Sequence, residues 1–161
     1  MIPHAHRHRS RAFSLLEAMA VVVMVAIAVP PMAAVAQAHA RAAGDAARRH
    51  TAIHLAVGVI EAILADAEST NPRLGFEGFA RPDYLDHPID GLRARLADMT
   101  EPAAAFDIRF DAAFSEPFTN TGTPAPADAD RALRLVTVTA HWTSLAGTDA
   151  SLELQAAVVN R

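Results

Sequence analysis

The sequence predicts an α+β protein, with a long N-terminal hydrophobic helix packed on a small C-terminal antiparallel β-sheet. Three observations predict it. From Phe13 to Ala36 the chain is almost wholly apolar. A helical repeat of aliphatic residues then continues to about Asp66 or Glu68. After residue 105, short segments alternate apolar and polar residues and are separated by turn-forming stretches. At 161 residues the chain has room for one domain plus an anchor.

The first element is a basic segment. His4, His6, Arg7, His8, Arg9 and Arg11 lie within residues 1–12, where there is no acid. The apolar stretch that follows is interrupted only by Ser14, Glu17 and the pair Pro30-Pro31. Its length matches a bilayer span of roughly 20 residues. Arginines before such a span stay cytoplasmic and send the rest of the chain outward. Three readings fit: a secretory signal cut after Ala36, with Ala34-Val35-Ala36 as a small-x-small site before Gln37; a retained signal anchor; and a processed polymerisation helix. Glu17 separates them, because a carboxylate in a membrane helix costs a few kcal/mol unless it has a partner.

Ala12-Phe13-Ser14-Leu15-Leu16-Glu17 followed by an apolar helix resembles the class III leader of type IV pilins and type II secretion pseudopilins. The resemblance implies that a prepilin peptidase cuts between Ala12 and Phe13 and that the new amino group of Phe13 is methylated. Glu17 matches the family's glutamate five positions into the mature chain. It would neutralise the Phe13 amine on its own or a neighbouring subunit, since paired charges are far cheaper in lipid than lone ones. Leu15 and Leu16 would share in the helix contact. The family places Gly before the cut, where this chain has Ala12, the smallest replacement. Trimming removes three of the fourteen arginines, leaving eleven against eighteen acids, a net charge of −7. Such an acidic domain is not expected to seek nucleic acid.

The second half of the helix carries Ile53, Val57, Ile60 and Leu64 at steps of 4, 3 and 4, beside Leu55, Val59 and Ile63. Together they predict a broad apolar face for packing on a sheet. Asn71-Pro72 stops the helix. Pro30 and Pro31 each remove a backbone donor, and a kink or local break is expected there. Residues 69–105 read as irregular, tacked down by Phe76, Phe79, Tyr84 and Leu85, with a short helix from Ile89 to Met99. Phe106 to Phe110 alternates like a half-buried strand. Residues 115–130 read as a loop. Leu135 to Trp142 is the clearest strand, with Val136, Val138, Ala140 and Trp142 on one face. A turn at Ser144 to Asp149 with Gly147 leads to Leu152, Leu154, Ala156 and Val158, which alternate and close an antiparallel hairpin. This ending is similar to that of minor pilin and minor pseudopilin subfamilies. The plan is therefore a leader over 1–12, a membrane and polymerisation half over 13–36, an amphipathic half over 37–68 and an external pilin-like domain over 69–161.

Little else points to chemistry. The chain has no cysteine, which excludes disulfides, thiolate metal sites and a cysteine nucleophile. His50 and His54 share a helix face as metal ligands can, but read as solvated or packing residues without a third ligand. Asp128 and Asp130, or Asp83, Asp86 and Asp90, offer oxygens to calcium but lack a dense Asp/Asn/Gly loop. No nucleophile elbow, His-Glu-x-x-His or phosphate loop occurs, and Ser115, His141 and Asp149 form no convincing triad. The expectation is a structural subunit, not an enzyme, with no cofactor and no metal. The resemblance gives it a bacterial inner-membrane origin, and as partners a prepilin peptidase, other pilin-like subunits and the inner-membrane assembly platform.

Overall fold

The computed structural model describes residues 15–69, 71, 73–126, 129 and 131–160. Its elements are a helix α1 (Leu15–Ala67), a 3-10 turn (Gly78–Ala80), α2 (Leu92–Arg95), α3 (Ala97–Ala104), β1 (Arg109–Phe114), β2 (Leu133–Thr143) and β3 (Asp149–Val159). The chain forms two compact units, one reaching to Ala42 and one starting at Ala43.

Helix α1 ends at Ala67, where the aliphatic repeat ends. The chain remains helical across Pro30 and Pro31, so the local break expected there is absent. Each ring removes one i to i−4 bond, and the surrounding turns hold the helix without it. The buried stripe is narrower than the sequence suggests. Ala52, Leu55, Ala56, Val59 and Ile63 are buried, whereas Ile53, Val57 and Leu64 stay exposed. Small residues at 52 and 56 let the helix approach its neighbours closely, and a single stripe is then enough to meet them.

The sheet is antiparallel with order β1-β2-β3. Val138 faces Ala112 on one side and Leu154 on the other, which fixes the register. Val136, Val138 and Ala140 are fully buried, as the alternation predicts, and Trp142 is half-buried. They share one core with α1, Phe76, Phe79, Leu92, Ile108 and Phe110. The hairpin turn uses Gly147 at φ 78°, a left-handed conformation that glycine adopts without strain. Two bonds fasten this turn to the helix: the Leu145 amide donates to Asp45 Oδ1 at 2.7 Å, and Arg48 donates to the Thr143 carbonyl.

Two elements differ from expectation. The helix predicted over Ile89 to Met99 starts later, after Gly91, and continues as α3 to Ala104 after an interruption at Leu96. The strand predicted from Phe106 starts at Arg109 and runs on to Phe114. Asp107 adopts φ 54°, and the Ile108 amide donates back to the Ala103 carbonyl at 3.1 Å. That reversal terminates α3 and delays the strand by three residues.

Candidate functional site

The apolar half of α1 is built from residues that have no core of their own. Leu15, Ile27 and Met32 are 81%, 71% and 70% exposed, and Val21 to Val25 and Val29 are exposed with them. From Leu15 to Ala36 the helix is roughly 33 Å long at 1.5 Å per residue, which matches the ~30 Å hydrocarbon layer. This helix is long and apolar enough to cross a membrane, by length and composition. Glu17 lies in its first turn and is exposed. A carboxylate there meets the positive end of the helix dipole. Leu15 and Leu16 precede it in the same turn. Ala12 and Phe13, the expected processing pair, lie outside the described residues.

The acidic residues considered for calcium do not converge. Asp83 takes Arg81 at 3.2 Å, Asp86 takes Arg93 at 2.5 Å, and Asp90 takes Arg73 at 3.2 Å. The Arg81 hydrogen bond holds the Asp83 carboxyl below its ordinary range. Asp128 and Asp130 lie outside the described residues. Among the described residues, no group of three or more His, Asp or Glu is placed to hold a metal. His50 and His54 do meet, with Nε2 atoms 3.2 Å apart.

Ser115, His141 and Asp149 are not brought together as a triad. Ser115 Oγ accepts from the Leu135 amide at 2.8 Å. His141 sits six residues further along β2, about 20 Å away at strand rise. A groove of about 510 Å³ lies between α3 and β1, lined by Ala97, Thr100, Glu101, Ile108 and Phe110. Of the two arginines that also line it, Arg93 is occupied by Asp86, Asp111 and the Phe110 carbonyl, and Arg109 pairs with Asp107 at 3.2 Å.

Two buried polar residues carry no motif in the sequence. Asp66 is 5% exposed and closes the apolar stripe of α1. Arg95 binds it through both terminal nitrogens, at 2.7 and 2.5 Å, and the Tyr84 hydroxyl donates to Oδ2 at 2.6 Å. Burial, then the Asp66 carboxylate, pushes the Tyr84 hydroxyl far above its ordinary range, and the hydrogen bond to Asp66 raises Arg95. Arg134 is buried too, donating to the Ser115 carbonyl at 3.1 Å with its guanidinium 5.2 Å over the Phe76 ring. Position was the available signal: Asp66 continues the 52-55-59-63 stripe, and Arg134 continues the 136-138-140 face of β2.

No family model, curated protein or solved structure matches this chain.

Proposed function

We propose that the chain is a minor pilin or pseudopilin, a structural subunit of a type IV pilus or a type II secretion pseudopilus. The exposed apolar half of α1 carries the reading. A continuous apolar surface of this size is not stable in water and marks a membrane or assembly contact. The leader-like motif ending at Glu17 supports assembly over simple anchoring, as does a helix that continues without a stop into an α+β domain.

In this account a prepilin peptidase of the inner membrane cuts before Phe13, and the Phe13 amine is methylated. The helix waits in the bilayer with its C-terminal domain on the periplasmic side. It then leaves lipid for a bundle of neighbouring helices on the assembly platform. Glu17 neutralises a Phe13 amine and sets the axial register. Leu15, Leu16 and the apolar residues to Ala36 make the contact, and Pro30 and Pro31 are where the helix can loosen in the fibre, since two backbone bonds are already missing there. The sheet domain supplies partner specificity. The work is structural, with no reaction catalysed.

Glu17→Gln tests the assembly step. Expressed beside its sibling subunits, the variant should remain in the membrane but be lost from the sheared fibre fraction. Incorporation equal to the parent would contradict the assigned role of Glu17 and remove the main ground for choosing assembly over anchoring.

A further inference from the structure

We propose that His50 and His54 form a two-histidine chelate for a borderline divalent transition ion, of the class Zn²⁺, Ni²⁺ or Cu²⁺, on the exposed face of α1. The two residues stand one turn apart and both are exposed. Their rings lie 4.4 Å apart between centroids with planes crossed at 68°, and the Nε2 atoms approach to 3.2 Å. Two nitrogens bound to one tetrahedral ion at 2.0–2.1 Å are separated by roughly 3.3 Å. The helix therefore already holds both donors at the chelate spacing, and little side-chain freedom remains to be lost on binding.

The chemistry balances simply. In the neutral pair one ring donates its Nε2 hydrogen to the other. Coordination needs both Nε2 lone pairs, so the donor ring takes its other tautomer, with the hydrogen on Nδ1. A small turn about χ2, a broad torsion, aims both lone pairs at a point beside the line joining the nitrogens. Arg48 is directed to the Thr143 carbonyl, and Glu61 lies two turns further along the helix, about 10 Å from His54. With no third protein ligand among the described residues, water completes the coordination. Imidazole donors select transition ions over Mg²⁺ and Ca²⁺.

The test is calorimetric titration of zinc chloride into the detergent-solubilised full chain, with His4, His6 and His8 replaced by Ala so that they do not compete. One ion per chain is expected. His50→Ala and His54→Ala should each weaken binding roughly tenfold or more. His39→Ala should leave it unchanged, and magnesium chloride should give no binding. Both histidines are exposed, so circular dichroism should show intact helix in every variant. Zinc binding in the His50→Ala/His54→Ala double variant as tight as in the parent would overturn the proposal, as would equal affinity for Zn²⁺ and Mg²⁺.

Discussion

Asp66 is the residue whose placement most constrains the folded unit that starts at Ala43. Its carboxylate sits at the C-terminal end of α1 and gathers Arg95 and Tyr84, so one buried charge ties the helix end to α2 and to the segment before it. Removing one member of a buried pair strands the other. Asp66→Asn should therefore lower stability by about 3 kcal/mol, read as a shift in denaturant midpoint by Trp142 fluorescence. Tyr84 gives a second handle, because it is the only tyrosine in the chain. Its hydroxyl titrates far above the ordinary value of 10.0 in the folded state. The folded chain thus keeps a proton that the unfolded chain releases above about pH 10. The stabilisation is complete below that pH and is lost as pH rises further. Absorbance at 295 nm should show no tyrosinate until the protein unfolds, and Tyr84→Phe should flatten the alkaline fall in stability. A tyrosine that ionises near pH 10 in the folded protein would contradict the burial described. Such residues were not legible as partners beforehand. An acid and an arginine on otherwise apolar faces announce that they are buried, but not what they meet 29 positions away.

At the scale of elements, two glycines make opposite demands. A Cβ on Gly58 of α1 would meet the Met99 sulfur at 2.4 Å, and a Cβ on Gly91 would meet the His87 backbone at 2.4 and 2.5 Å. The Met99 side chain is flexible and partly exposed, so it can move, whereas the His87 backbone cannot. Gly58→Ala should be neutral or stabilising by up to about 1 kcal/mol through helix propensity. Gly91→Ala should be destabilising by about 2 kcal/mol or more, from backbone overpacking. Thermal melting of the two variants side by side checks the contrast; equal losses would show that the Gly91 contact is not rigid. The same scale explains what could be read in advance. β2 and the hairpin were legible because one face of β2 is buried from Arg134 to Ala140, and a one-residue slip would expose Val136, Val138 and Ala140 together. The start of β1 was not, because Phe106 and Ile108 alternate as strand residues do while Asp107 between them takes a left-handed turn that closes α3. The width of the α1 stripe was overestimated for a related reason: periodicity marks every aliphatic position near a face, and packing then selects only those that contact the sheet and its cover.

For the whole molecule, the sequence divides the functional question sharply. The apolar half of α1, with Glu17 in its first turn, is legible from composition alone as long and apolar enough to cross a membrane. The choice between a retained polymerisation helix and a discarded signal is a chemical question about where the backbone is cut. The two answers leave different proteins. One starts at Phe13 and keeps the full helix. The other starts at Gln37 and keeps only the second half of the helix, which includes the buried stripe from Ala52 to Asp66. Mass spectrometry of the mature N-terminus, on protein isolated from membranes of the native host, separates them in one measurement. For a pilin-like subunit the expected mature chain begins with an N-methylated Phe13 and contains Glu17. A mature chain beginning at Gln37 would contradict it.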